Sequence, residues 1–348
     1  MDLQEMFPSY EFPIDEVCDV ISENGYGKVL LQVPEGLKRA VVPISTELEE
    51  RTGVSVLIDG DQVFGACDHT GIRGETFGLD AVIHLGHAPL GSHRGVSVHF
   101  FPVRMVSSSG AVERALERLI SSSGEKRVGV VTTIQHIHLL EGVVKELERA
   151  GKEVSVGGPG KREAQRGQVL GCSFSSAREI SHRVDAYVYI GTGSFHPMGV
   201  VLSTGKPVYI IDPTGGDLRK IVPEEKERFI RSRFSLVNLA AQHMEKKEVV
   251  GIIVSTKPGQ SRMELARSLF LIVANEGFRA KLISMDLLTP MKIRSLGIRL
   301  ACSTACPRIA VDDWRSYSEE GIVLLTPFEL RASLSLSDMN DYSLDEEW

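Results

Sequence analysis

Three times along its 348 residues the chain sets out the same order of elements. Each copy opens on a short apolar run rich in β-branched residues: KVLLQV at 28–33, RVGVVTTI at 127–134 and EVVGIIVS at 248–255. Runs of this kind, set between polar and glycine-containing turns, read as buried parallel strands. A helical pattern follows each, at 44–53, 139–151 and 261–277, and each ends at a glycine, a common helix stop. A second strand comes next, at 54–59, 153–157 and 280–285. Then comes an irregular segment holding a cysteine, and then a third strand, at 80–86, 185–191 and 321–327. The expectation is an α/β protein of three pseudo-repeated βαβ-type domains with parallel sheets, at 1–105, 106–220 and 221–330. The tail at 331–348 is polar and acidic with little periodicity, and is expected to be disordered or loosely docked.

The cysteines keep register with these repeats. Cys67 lies 14 residues before Ala81, and Cys172 lies 14 before Ala186. Cys306 lies 15 before Gly321, whereas Cys302 lies 19 before it. The spacing nominates one cysteine per copy, Cys67, Cys172 and Cys306. Ligands of open α/β sheets collect outside the carboxyl ends of the strands. Three related units packed together would bring these three loops, and their thiols, to one point. Any one of them taken alone reads as a buried small hydrophobe, the usual fate of a free cysteine.

Composition excludes several classes. An odd count of five widely spaced cysteines argues against a disulfide framework and for metal, redox or buried roles. The net charge of −7, with no basic block, argues against nucleic acid as the main ligand. No apolar run reaches membrane-spanning length, and the acidic N-terminus has no signal-peptide core, so the expected location is the cytoplasm.

Three thiolates suit two kinds of centre. Zinc would need a fourth ligand, often histidine. Candidates are His84, His87 and His93, and the pair His136 and His138, which would share one face of a strand. A [4Fe–4S] cluster normally takes four cysteines. Held by three, it keeps one iron open for a substrate.

Five segments, VPEGLK (33–38), DGDQVFGACDHT (59–70), IHLGHAP (83–89), YIGTGSFHPMG (189–199) and TACPRIAVDD (304–313), together resemble the diphthamide synthase family in its archaeal form. The resemblance spans roughly residues 25–330. It implies three similar α/β domains around a central [4Fe–4S] cluster, with Cys67, Cys172 and Cys306 as ligands and Cys302 as a packing residue. Cys18, before the first copy, has no motif around it. The implied reaction moves the 3-amino-3-carboxypropyl group of S-adenosylmethionine to C2 of a histidine on translation elongation factor 2, by a radical route that releases methylthioadenosine. A homodimer and an unidentified electron donor are implied with it.

Contacts to S-adenosylmethionine are expected from three places. STKPGQSR (255–262) joins the first strand and helix of the third copy and offers Lys257, Gln260 and Arg262. The equivalent turn of the second copy offers Gly191, Gly193 and His196; Thr192 stands there where the family often has an acidic residue. Arg308 and Asp312 follow Cys306 and either pair with each other or meet the co-substrate. Two other readings remain: a quinolinate-synthase-like enzyme using the open iron as a Lewis acid, and a non-catalytic subunit relaying electrons.

Overall fold

The computed structural model describes residues 3–68, 71–90 and 95–344. Among them are three sheets that are parallel but for one strand, each with helices packed on it. The first unit follows helix α1 (Ile14–Asn24) and runs β1 (Lys28–Gln32), α2 (Val41–Thr52), β2 (Ser55–Ile58), α3 (Gly71–Thr76), β3 (Ala81–Leu85) and β4 (Ser97–Phe101). Its sheet has the order β2-β1-β3-β4, all parallel. Leu31 pairs with Ile58 on one side and Ile83 on the other. Strands covered on both faces are apolar at nearly every position. Accordingly Val29, Leu31, Ile83 and Leu85 are all fully buried.

The second unit begins at α4 (Ala111–Ser122) and contains β5 (Arg127–Thr132), α5 (Leu140–Arg149), β6 (Glu153–Ser155), α6 (Ser175–Ile180), β7 (Ala186–Ile190), α7 (Phe195–Thr204), β8 (Val208–Ile211) and β9 (Leu218–Ile221). The order is β6-β5-β7-β8-β9, with only β9 antiparallel. The long helix α8 (Pro223–Glu245) leads into the third unit: β10 (Val250–Ser255), α9 (Met263–Asn275), β11 (Ala280–Met285), α10 (Pro290–Ser295), β12 (Leu300–Ser303), α11 (Pro307–Val311), α12 (Trp314–Glu319), β13 (Val323–Leu325) and α13 (Pro327–Ser333). Its order, β11-β10-β12-β13, matches the first sheet. In every unit the first strand runs into a short 3-10 turn, at Glu35–Ala40, Ile134–Leu139 and Pro258–Gln260.

Three expectations change. The third strand of the third unit is β12, not the run at 321–327, whose strand β13 is the fourth. Cys306 therefore follows a third strand, while Cys67 and Cys172 follow second strands. The matched spacings compared intervals that are not equivalent. The short run Leu300–Ser303, LACS, carries too little β-branched character to announce itself. His136 and His138 do not share a strand face, because β5 ends at Thr132 and both lie in the 3-10 turn.

The third change is the tail, which is docked as far as residue 344. Met339, Tyr342 and Leu344 are buried in the core of the second unit. They are held by an ion pair shut off from solvent. Arg233 of α8 donates to both carboxylate oxygens of Glu329 in α13, at 2.6 and 2.7 Å, and Tyr342 Oη donates to the same carboxylate at 2.9 Å. Glu329 also closes a capping box with Thr326, fixing the start of α13.

Candidate metal centre

Cys67 lies in a 3-10 turn (Ala66–Asp68) beyond β2, Cys172 in the loop between β6 and α6, and Cys306 at the N-cap of α11 beyond β12. All three stand past carboxyl ends of strands, one from each unit, and all are half-buried. Burial pushes the Cys306 thiol far up, and Cys172 and Cys67 push it further. Burial takes the Cys172 thiol up to about 12; Arg162 offsets this, while Cys67 and Glu163 add to it. The three sulfurs are therefore close enough to feel one another's charge. Cys302, by contrast, is fully buried in β12, level with Ile252 and Leu325 on the neighbouring strands. Cys18 is buried in α1.

Among the described residues, no three His, Cys, Asp or Glu gather at the spacing of a single metal ion. Three cysteines, one from each unit, are the residue type that would hold an iron–sulfur cluster. The histidines proposed for zinc are otherwise engaged or elsewhere. His84 bonds Gln32 at 3.0 Å and His87 at 2.9 Å. His136 and His138 sit in the 3-10 turn, and His93 lies outside the described residues.

The turn at Pro258–Gln260 forms a cradle for Cys67. Gln260 Nε2 donates to the Cys67 sulfur at 3.1 Å, which counters part of the rise that burial causes. Lys257 pairs with Asp68, the next residue along, at 2.5 Å with both side chains buried. Burial raises the Asp68 carboxyl and Lys257 draws it back. Gln32 ties the same segment from below, donating to Asp59 at 2.8 Å and to the Asp68 carbonyl at 3.2 Å. Glycine at 259 permits the approach, since a Cβ there would stand 2.4 Å from the Cys67 Cα. Lys257 and Gln260 thus hold the Cys67 turn, with Arg262 further along the same loop, just before α9.

Gly193, His196, Arg308 and Asp312 meet elsewhere. With His136 and Arg233 they line a cavity of about 670 Å³ between the second and third units. Gly193, at φ +76°, and Gly191, at φ +147°, shape the turn after β7 in a way that side-chain-bearing residues rarely accept. Gly191 does not line the cavity, but Thr192 does. His196 stacks on Tyr189 with centroids 6.3 Å apart, and burial, helped by Arg308, lowers its pKa to about 3. Arg308 Nε donates to Asp312 at 2.9 Å, and its guanidinium lies 4.9 Å from the Phe195 ring. A Cβ on Gly171 would come 2.9 Å from Arg308 Cδ, so this side chain joins the Cys172 loop to the cavity.

Sequence reasoning did not reach Arg162, Glu163 or Arg233. Arg162 reaches across units to the Gly259 carbonyl and Arg233 pairs with Glu329, 96 residues on, and no local motif marks any of the three.

Fold and site define a three-sheet α/β protein that gathers one thiol from each unit beside a cavity bearing several cationic groups. The chain belongs to the diphthamide synthesis protein family, whose model matches residues 33–343. It is 34% identical to the 2-(3-amino-3-carboxypropyl)histidine synthase of Pyrococcus horikoshii, over 97% of this chain and 94% of that one. It is 29% identical to subunit 1 of the mouse synthase, over 97% of this chain and 74% of the relative. The solved structure of Dph2 from Pyrococcus horikoshii with a 4Fe-4S cluster superposes with a TM-score of 0.85 at 33% identity, covering 97% of this chain and 94% of that chain.

Proposed function

We propose that this enzyme transfers the 3-amino-3-carboxypropyl group of S-adenosylmethionine to C2 of a histidine imidazole on translation elongation factor 2, releasing methylthioadenosine. One observation carries the reading: three cysteine-bearing loops, one from each unit, linked where Gln260 meets the Cys67 sulfur and where Arg308 packs on Gly171 beside Cys172, in a chain that matches a cluster-bearing relative along nearly its whole length. When bound, a [4Fe–4S] cluster with one open iron supplies the electron that cleaves a sulfonium C–S bond.

The protein's own part is positioning. Cys67, Cys172 and Cys306 hold the cluster, and Gln260 and the Lys257–Asp68 pair fix the Cys67 turn. The cavity with Gly193, His196, Arg308 and Asp312 receives S-adenosylmethionine, with Gly191 shaping the turn that carries Gly193 and Arg262 near the cluster turn. His196 stays neutral there, so it offers a stacking face and hydrogen bonds without charge. The enzyme works in the cytoplasm as a homodimer with an external one-electron donor. No described helix is long and apolar enough to cross a membrane.

The test uses the purified chain alone, reconstituted without oxygen and given reductant, S-adenosylmethionine and the elongation factor. Methylthioadenosine should form together with one aminocarboxypropyl group per factor. A strict need for a second protein subunit, or no methylthioadenosine, would sink the reading.

A further inference from the structure

Three polar side chains at the carboxyl edge of the first sheet form a hydrogen-bonded chain, and their partners fix where its protons lie. Gln32, the last residue of β1, donates from Nε2 to Asp59 Oδ2 at 2.8 Å and to the Asp68 carbonyl at 3.2 Å. A carboxylate and a carbonyl only accept, so this atom is the amide nitrogen and Oε1 is left to accept. His84, paired with Gln32 on the neighbouring strand β3, places Nδ1 3.0 Å from that oxygen, so Nδ1 carries a proton. His84 is fully buried, where a charged ring is costly. Neutral, it accepts at Nε2, and the proton in its 2.9 Å contact with His87 belongs to His87 Nδ1.

His87 is thus left with an unprotonated Nε2. The residue is half-buried, and that nitrogen has no hydrogen-bond partner among the described residues. Burial lowers the ring's pKa to about 4, which keeps the lone pair free. Gly86, at φ +88°, holds the turn against the first strand's end, since a Cβ there would stand 2.4 Å from Pro34 Cγ. The chain also ends at the metal centre, because the Asp68 carbonyl adjoins Cys67.

The reaction needs such an atom. A C–S bond breaks, the freed carbon bonds to C2 of the acceptor imidazole, and C2 gives up its hydrogen. The electron that cleaves the sulfonium is recovered as the imidazole regains aromaticity, so no net oxidant is consumed. The positive charge of the sulfonium leaves as the C2 proton. The cavity proposed for the co-substrate is walled by the second and third units. The carboxyl edge of the first unit is the face left for the acceptor, and His87 stands on it. Neither nearby carboxylate competes for the proton: Asp68 is buried and paired with Lys257, and Asp59 is buried and accepts from Gln32.

We propose that His87 Nε2 accepts the C2 proton of the acceptor histidine, with His84 and Gln32 as positioning residues that fix its tautomer. The assignment rests on the function proposed above and adds its proton acceptor. A positioned base of this kind contributes about 10²- to 10⁴-fold in rate.

The first measurement is the tautomer. NMR of isotope-labelled histidine nitrogens in the oxidised, cluster-loaded chain should show His87 with Nδ1 protonated and Nε2 bare. A protonated Nε2 overturns the assignment without any variant having to fold. The second is turnover of His87→Ala with reductant, S-adenosylmethionine and the elongation factor. At wild-type iron content, aminocarboxypropyl transfer should fall about 10²- to 10⁴-fold, and added imidazole should restore it by at least about tenfold. Deuterium at C2 of the acceptor histidine should slow the variant more than the wild type. A merely structural role would give a loss that imidazole does not mend, and that result overturns the assignment. Where the variant loads no iron, the tautomer decides. Wild type that releases methylthioadenosine while His87→Ala transfers at the wild-type rate refutes this assignment alone. Wild type that releases none refutes the proposed function as well.

Discussion

Gly259→Ala tests whether the third unit holds the Cys67 turn in place. The added Cβ would stand 2.4 Å from the Cys67 Cα, 2.7 Å from its Cβ and 2.9 Å from its carbonyl oxygen. These are backbone and Cβ atoms, so no rotamer change relieves them. The turn must retreat by roughly 1 Å to reach ordinary contact, an overpacking cost of about 1–3 kcal/mol. The retreat also stretches the bond from Gln260 to the Cys67 sulfur and the one from Arg162 to the Gly259 carbonyl, both 3.1 Å. Each is worth about 0.5–1.5 kcal/mol, so the expected loss is about 2–6 kcal/mol. Urea unfolding of the apoprotein measures that loss, and iron and sulfide content after reconstitution measures the centre, which should hold less than about half the wild-type iron. Gly36, in the matching turn of the first unit, has nothing within 4 Å of its would-be Cβ. Gly36→Ala should leave both measurements unchanged. A Gly259→Ala protein with wild-type stability and a full complement of iron would refute the cradle.

Cys306→Ala should fail to load a cluster, while Cys302→Ala should load one normally and lose only roughly 1–2 kcal/mol of stability to the small cavity it leaves; the reverse pattern in iron content would refute the assignment. Glu329→Gln leaves the Arg233 guanidinium buried without its counter-charge and should destabilise by about 3–5 kcal/mol in denaturant unfolding, whereas a loss below about 1 kcal/mol would show the pair to be idle. Burial holds His136 near pKa 4 and His196 near 3, so both stay neutral in the folded chain at pH values where the unfolded chain binds a proton. Their contribution is complete above about pH 6.5 and falls as pH drops toward 4, by about 1.4 kcal/mol per pH unit for each imidazole. His196→Gln should flatten that slope by one such step, and an unchanged slope would refute the burial argument.

The strands were legible because a strand covered on both faces has no polar side to blur it; KVLLQV and RVGVVTTI announce themselves. LACS does not, because small residues pack in a strand as well as in a loop, and missing it disturbed the repeat register. Cys306 was nominated by a spacing that compares a third-to-fourth-strand interval with two second-to-third-strand intervals. Contacts between loops, rather than spacing, relate the three: Gln260 of the third unit meets the Cys67 sulfur, and Arg308, two residues past Cys306, packs on Gly171 beside Cys172. The tail read as loose because Met339, Tyr342 and Leu344 are too few and too irregularly spaced to signal burial; each fits a recess formed by elements of other units. Lys257, Gln260 and Arg308 were visible as polar residues on loops at strand ends. Their partners Asp68, the Cys67 sulfur and Phe195 lie on other segments, up to 193 residues away, beyond the reach of any local pattern.

The docking of residues 339–344 also governs the order in which this protein can be made. The first unit has its core complete by Val103 and is able to fold as it leaves the ribosome. The second unit's strands emerge next, yet three side chains of their core arrive more than a hundred residues later. Until then the nascent middle unit keeps an apolar recess open, a surface for chaperones to shield. A stop before Met339 would spare Cys67, Cys172 and Cys306 and still lower the yield of folded protein, so such a truncation acts as a biogenesis defect before it is a chemical one.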